Sequence, residues 1–274
     1  MYKRILLALD LEGVNRVVGE PYSWLFKGSE QWAIAVKDAA RELNAAAKAL
    51  FDAGAERVDV WDTHNNGNNL RPEHLDARVG LISHDPKFPR MGFAEGQYDC
   101  LCFFGYHSME GTLGGVLSHT MNSNTIQFYK LNGRYIGELD MDVAIAASHG
   151  IPCRFFAGGD IACVQARRTV PGIVCVETKK ELGMNEAIFR DDDLYDEIGE
   201  RIVEAVRVEG DYRPLDFPAE LQVSFKRVED AAKYLAGRLK RGYEAKFLAD
   251  ELLGHDAHTV VCTLRNMDDF IACI

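Results

Sequence analysis

The sequence predicts an α/β protein, with a mostly parallel sheet flanked by helices and a smaller C-terminal α/β segment. Short apolar runs typical of buried strands alternate with segments that have the apolar spacing of helices. This strand–helix–strand order implies right-handed parallel crossovers. A connector at 211–218 carries two prolines, so we divide the chain into a large α/β domain at 1–210 and a small α/β domain at 211–274.

The first half of the chain supplies three strong strands. Residues 4–10 form a buried strand around Ile5–Leu9, and residues 31–53 form a helix that ends at Gly54. The segment 57–61 alternates like a strand, and 99–105 is the third strand.

The second half begins with a hairpin. Asn132-Gly133 separates strands at 125–129 and 134–136, and this dipeptide is a strong hairpin signal. The remaining predicted elements are helices at 138–149, 162–168, 192–206, 228–239, 250–253 and 260–270, and strands at 151–156, 172–177, 221–225 and 245–247.

Composition excludes several classes of protein. With 47% hydrophobic and 27% charged residues the chain is globular, and its net charge of −11 argues against binding a nucleic-acid backbone. No apolar stretch is long enough for a membrane span, and the first apolar run is too short for a signal peptide. Seven cysteines, an odd number, fit reduced thiols, so we expect a cytoplasmic protein.

Candidate ligands follow the three leading strands. Asp10 and Glu12 come after the first strand, His64 after the second and His107 after the third. Ligands gather beyond the carboxyl ends of parallel strands, so these side chains should meet at one edge of the sheet. Glu138 follows the hairpin at the start of a helix, where the helix dipole favours a carboxylate.

Three carboxylates and two imidazoles suit zinc or a similar divalent ion, whereas calcium prefers oxygen alone. Five ligands exceed the three of a typical catalytic zinc, so a two-metal centre with a shared carboxylate fits better. Such a centre would activate a hydroxide for hydrolysis. His119 lies on a glycine-rich loop, and it is either a histidine bound to backbone or a catalytic imidazole that is not a ligand.

These segments resemble the zinc-dependent D-aminopeptidases, a family first known from a bacterial dipeptide-transport operon. The similarity covers a little over half the chain, from Ile5 to about Asp160. The matching segments are Asp10-Leu-Glu12-Gly13, Asp62-Thr-His64 with Asn69-Leu70, Gly105-Tyr106-His107, Ser118-His119-Thr120-Met121, and Asn132-Gly133-Arg134 to Gly137-Glu138-Leu139.

The resemblance implies two zinc ions per subunit. Asp10 would bridge them, Glu12 and His64 would complete one ion's ligands, and His107 and Glu138 the other's. His119 would be the catalytic histidine. It also implies that short peptides with N-terminal D-amino acids, such as D-Ala, are hydrolysed inside a ring-shaped homo-oligomer, a decamer.

Three segments depart from the family pattern, at 14–16, 21–28 and 108–111. The aromatic stretch at 22–26 is particular to this chain, and we expect it to cap the pocket or form a subunit contact.

Three alternatives remain. An aminopeptidase of the same family could prefer L-residues. Another two-metal hydrolase, such as a phosphoesterase, would need a clamp of arginines, yet Arg134 is the only arginine within these motifs. A ring-forming binding protein without chemistry would not need His119.

Overall fold

The computed structural model describes residues 1–19, 25–82 and 90–274. Most of the aromatic stretch at 22–26 lies outside the described residues. The chain folds into two compact units. The larger unit comprises Met1–Ser108, Thr112–Ser118 and His149–Tyr212, and the smaller unit comprises Met109–Gly111, His119–Ser148 and Arg213–Ile274.

A six-stranded sheet, parallel throughout, forms the centre of the larger unit. Numbered along the whole chain, its strands are β1 (Arg4–Leu9), β2 (Arg57–Asp62), β3 (Gly80–Ile82), β4 (Cys100–Tyr106), β7 (Cys153–Gly158) and β8 (Val174–Glu177). Their order across the sheet is β3-β2-β1-β4-β7-β8. The central strands β1 and β4 are almost entirely buried, as expected for a sheet covered on both faces.

Helices of the larger unit cover this sheet. They are α1 (Glu30–Asp52), α3 (Asp160–Thr169) and α4 (Asp193–Arg207), with a short 3-10 helix at Pro72–His74. The Ser29 hydroxyl accepts a hydrogen bond from the Trp32 amide (3.1 Å) and so caps α1. A two-stranded antiparallel hairpin, β9 (Lys179–Gly183) and β10 (Glu186–Phe189), follows β8.

The smaller unit is built on a five-stranded antiparallel sheet with the order β12-β13-β11-β5-β6. Its elements are β5 (Ile126–Leu131), β6 (Arg134–Ile136), α2 (Glu138–Ser148), β11 (Ala219–Phe225), α5 (Val228–Lys240), β12 (Ala245–Asp250), β13 (Gly254–Leu264) and α6 (Met267–Cys273). Asn132 and Gly133 both have positive φ, which is the backbone that a tight β5–β6 turn requires.

The predicted fold class is confirmed, but two predicted helices are wrong. Asp250 is the last residue of β12 and 251–253 form a turn. Residues 260–264 belong to β13, and α6 starts only at Met267. Val260 lies opposite Val223 of β11 and Phe247 of β12, so pairing on both sides favours the extended chain for this β-branched segment. The β9–β10 hairpin was not predicted.

The two units differ from the predicted division at residue 210. Strand β5 pairs with β11, with Tyr129 opposite Val223, and this pairing groups residues 119–148 with the C-terminal residues. Pairing between strands so far apart in the chain leaves no local sequence signal. The larger unit therefore includes no residue between 119 and 148.

No helix within the described ranges combines the length and the hydrophobicity that a membrane crossing requires.

Candidate metal centre

Four of the predicted site residues lie together in the larger unit, at the carboxyl ends of three neighbouring strands. Asp10 directly follows β1, His64 lies two residues after β2, and His107 directly follows β4. Glu12 sits in the turn after Asp10. Because β2, β1 and β4 are adjacent and parallel, their ends deliver all four side chains to one edge.

The backbones at the ends of β1 and β4 lie so close together that a side chain at Gly13 or Gly105 would collide with the other strand. The Gly13 amide donates to the Gly105 carbonyl (2.6 Å), and the Asp10 amide donates to the Phe104 carbonyl (2.8 Å). Gly105 has φ +67°, and a Cβ there would lie 2.0 Å from the Asp10 carbonyl oxygen. The two glycines therefore allow main-chain contacts to hold the Asp10–Glu12 turn close to the end of β4.

Asp10 stands between the two histidines. His64 Nδ1 lies 3.0 Å from Asp10 Oδ1 and 3.2 Å from Glu12 Oε2. His107 Nε2 lies 3.4 Å from the other Asp10 oxygen, Oδ2. One donor atom from each of Asp10, Glu12 and His107 falls within 4.8 Å of the others, and all four side chains are buried. A single carboxylate thus presents one oxygen to each imidazole.

Local contacts orient both rings toward the carboxylates. His107 Nδ1 lies 2.9 Å from the Ser108 carbonyl oxygen, which leaves Nε2 facing Asp10. His64 Nε2 lies 3.3 Å from the Leu25 carbonyl and 2.8 Å from the Asn65 side-chain amide, so Nδ1 is the nitrogen that faces Asp10 and Glu12. Carbonyl partners of this kind commonly orient metal-binding imidazoles.

The loop that carries His64 is held by a buried aspartate. The Asp62 carboxylate accepts hydrogen bonds from the backbone amides of Asn69 (2.7 Å) and Leu70 (3.1 Å). The Asn69 side-chain amide donates both to Asp62 (3.0 Å) and to the His64 carbonyl (2.8 Å). These bonds close the loop between residues 62 and 70 and fix the backbone of His64.

The buried carboxylates of the cluster require a nearby positive charge. Burial alone would raise the pKa of Asp10, but hydrogen bonds with His107 and His64 hold it well below its usual value. Burial alone would lower the pKa of His64, but the charge of Glu12 and hydrogen bonds with Asp10 and Glu12 raise it to about 11. Two buried carboxylates this close need a cation between them, and a metal ion would take the place of the imidazolium proton.

The smaller unit holds the other two predicted residues. His119 Nε2 lies 3.8 Å from Glu138 Oε1, and that oxygen also accepts a hydrogen bond from the Met121 amide (2.7 Å). Glu138 is the first residue of α2, directly after the β5–β6 hairpin. The sequence therefore paired this carboxylate correctly with a helix start, and the loop at 119–121 brings the imidazole beside it.

The supporting residues were harder to find in the sequence. The Leu25 carbonyl carries no sequence signal, and Asp62, although it lies in a matching segment, has no feature that identifies it as the support of the His64 loop. Lys179 is fully buried behind the Asp10–Glu12 turn, yet the charged run Lys179-Lys180-Glu181 is typical of a solvent-exposed strand. Lys179 and Glu181 are buried and Lys180 is exposed, but all three are charged, so the sequence carries no signal that separates them.

The chain resembles known peptidases in sequence. A model of the D-aminopeptidase family matches residues 3–241. A D-aminopeptidase from Bacillus subtilis (strain 168) is 27% identical over 180 residues, which make up 65% of this chain and 64% of that protein. The aligned part is thus less than two thirds of that relative's length.

The fold has a solved counterpart. The Zn-dependent D-aminopeptidase DppA from Bacillus subtilis, described as a self-compartmentalizing protease, superimposes with a TM-score of 0.85 at 22% identity. The match covers 98% of this chain and 94% of that one, and it establishes the fold.

Proposed function

Because this chain belongs to the D-aminopeptidase family, we propose that it is a metal-dependent aminopeptidase. Its substrates are short peptides, from which it removes N-terminal residues, with D-amino acids such as D-Ala preferred. Family membership supports both the peptide substrate and the stereochemical preference.

The observation that carries this proposal is the position of Asp10. Its two oxygens face different imidazoles, at 3.0 Å for His64 and 3.4 Å for His107. A carboxylate that is shared by two metal ions needs such an arrangement, with one oxygen available on each side. An aspartate that only stabilised the fold would not need a histidine at each oxygen.

The donor set fits zinc. Carboxylate oxygens and imidazole nitrogens are ordinary zinc ligands, and the buried cluster lacks the many oxygens that calcium requires. We assign two zinc ions per subunit to Asp10, Glu12, His64, His107 and Glu138, with Asp10 shared, as the family resemblance supports. DppA, which has the same fold, is itself zinc-dependent.

Zinc in such a site supplies Lewis acidity and lowers the pKa of bound water toward neutrality. The protein's own part is to hold the ligands and to move a proton. We assign the proton transfer to His119, whose imidazole would donate to the leaving nitrogen or to the developing negative charge. Its Nε2 lies 3.8 Å from Glu138 Oε1, which places the imidazole beside a proposed zinc ligand.

We also propose that the protein is a cytoplasmic, ring-shaped homo-oligomer of ten subunits. The self-compartmentalizing assembly of DppA supports the ring. Six of the seven cysteines are buried and all seven are reduced, which suits a reducing compartment. Sedimentation velocity of the purified protein tests the assembly, and a single species of subunit mass would refute it.

The activity is tested by measuring metal content and hydrolysis together. Purified protein is analysed by ICP-MS and incubated with D-Ala-D-Ala, with L-Ala-L-Ala and with an N-acetylated D-dipeptide. We expect two zinc ions per chain, faster cleavage of the D-peptide, and no cleavage of the acetylated one. Chelation should abolish turnover and added zinc should restore it.

The rival activity is tested in the same preparation with p-nitrophenyl phosphate. Phosphatase turnover without peptide cleavage would identify a phosphoesterase instead. If the protein binds zinc but cleaves neither p-nitrophenyl phosphate nor any short D- or L-peptide, it is a binding protein and not an enzyme.

A further inference from the structure

Lys179, the first residue of β9, is a charged side chain sealed inside the larger unit. It is 1% exposed, although lysine is almost never fully buried unless its ammonium group is paired. Burying an ammonium group without a hydrogen-bond partner is strongly unfavourable. The contacts of its Nζ atom should therefore indicate what the lysine is for.

All three hydrogen-bond donors of Nζ are used on one short segment. They go to the backbone carbonyls of Glu12 (2.5 Å), Val14 (3.0 Å) and Val17 (2.6 Å). An ammonium group has three donors, so this set is complete. The partners are carbonyls of the turn that begins at Asp10, and one of them belongs to a candidate metal ligand.

Neighbouring residues support the same segment. The Thr178 hydroxyl donates to the Gly13 carbonyl (2.6 Å), the carbonyl between those that Lys179 binds. Together, Thr178 and Lys179 bind four carbonyls between residues 12 and 17. The segment has no helix or strand of its own, so these side chains replace the backbone pairing that would otherwise fix it.

The same strand also supports a second loop. Glu181, on the same face of β9 as Lys179, accepts hydrogen bonds from the amides of Val116 (2.7 Å) and Ile161 (3.1 Å). The Val116 loop runs on to Ser118, the residue directly before His119 in the chain. Lys179 is thus one part of a strand whose buried face supports both the turn after Asp10 and the loop at Val116.

We propose that Lys179 is a positioning residue for the metal centre, which fixes Glu12 and the turn after Asp10 in the geometry that binds zinc. This inference rests on the proposed zinc-binding role of Asp10 and Glu12. Without the lysine, the 12–17 segment would lose its internal support, and the Glu12 carboxylate would have to be ordered each time zinc bound.

The test is the zinc affinity of Lys179→Met in the full-length protein. The zinc-free protein is titrated against a chelator of known affinity, and amide exchange of residues 12–17 is measured by mass spectrometry. We expect zinc to bind about 10–100-fold more weakly, the range seen for partners that orient ligands. Exchange at 12–17 should be faster, and peptidase activity should return when zinc is raised.

Lys180→Met is the matched control. It removes the same charge from the next residue of the same strand, but Lys180 is exposed. Zinc affinity and exchange should match the parent protein. Both variants are assayed at a temperature where they are folded. Under that condition, recovery of activity at high zinc indicates a loss of positioning, because added zinc would not correct general destabilisation.

Thr178→Val keeps the inference testable if Lys179→Met does not fold. It removes one donor to Gly13 and nearly preserves shape, so a smaller loss of zinc affinity is expected. If a folded Lys179→Met binds zinc as tightly as the parent, the inference is wrong. If Lys179→Met cannot be purified, parent-like zinc affinity in Thr178→Val overturns the inference instead. A parent protein that binds no zinc overturns the proposed function together with this inference.

Discussion

The two units supply candidate site residues in different ways. In the larger unit, parallel strands end side by side, and Asp10, His64 and His107 follow those ends within one or two residues. In the smaller unit, an antiparallel hairpin leads into α2, and Glu138 lies at the helix start. There, His119 is brought beside Glu138 by a loop rather than by a strand.

The difference shows how each architecture makes a site. A parallel sheet gathers residues from distant parts of the sequence because all its strands point the same way. An antiparallel hairpin returns the chain to its starting point, so its residues come from one local stretch. We therefore expect the larger unit to carry metal affinity and the smaller unit to contribute the proton-transfer group together with one ligand.

The largest effect should come from Asp10→Asn. Losing the shared carboxylate should weaken zinc binding by more than about 100-fold, beyond the range for residues that only support ligands. Peptidase activity should fall to background. Zinc per chain measures the loss of metal, and turnover measures the loss of activity. Asp99→Asn is the control, because Asp99 immediately precedes β4 and binds Arg4 instead. Retention of both zinc ions in Asp10→Asn would contradict the shared role.

His119→Ala should distinguish the contribution of the smaller unit from that of the larger unit. Turnover should fall by about 10²–10⁴-fold, the usual contribution of general acid–base catalysis, while zinc content stays at the parent level. His255→Ala, an exposed histidine of the smaller unit, is the control and should be neutral. If His119→Ala loses zinc, the residue is a ligand, and the division of roles between the units is wrong.

Gly105→Ala should show how rigidly the larger unit holds its strand ends. Positive φ and a Cβ at 2.0 Å from the Asp10 carbonyl act together, so we expect a loss of more than about 3 kcal/mol in unfolding free energy. Gly133→Ala in the smaller unit has positive φ but open space, and should lose only about 1 kcal/mol. Urea denaturation measures both, and equal losses would show that the close approach contributes nothing.

The smallest effect should come from Asn69→Ala. The variant removes the donor to the His64 carbonyl but leaves every ligand in place, so zinc affinity should fall only about tenfold. The exposed neighbour Asn68→Ala should bind zinc like the parent. An unchanged affinity in Asn69→Ala would mean that the loop between 62 and 70 needs no support.

Much of this architecture could be predicted from local sequence. The apolar run at Ile5–Leu9 and the Asn132-Gly133 turn each occur where the pattern indicates, because burial and turn geometry depend on a few adjacent residues. The clustering of Asp10, Glu12, His64 and His107 also followed, since parallel strands fix which ends meet.

What could not be predicted depends on partners far along the chain. The segment from Val260 to Leu264 contains residues that suit either a helix or a buried strand, and its pairing with β11 and β12 decides the outcome. Lys179 binds carbonyls about 165 residues away in the sequence, and no local sequence pattern predicts such a contact. The grouping of residues 119–148 with the C-terminal strands has the same origin.

The close approach of Gly13 and Gly105 has a consequence for redesign. Because main-chain hydrogen bonds, and not the ligand side chains, hold the turn against the end of β4, an engineer can exchange donor types, such as His107→Asp, without rebuilding the scaffold. Ion preference could then be altered at the side chains while the framework that spaces them is inherited unchanged.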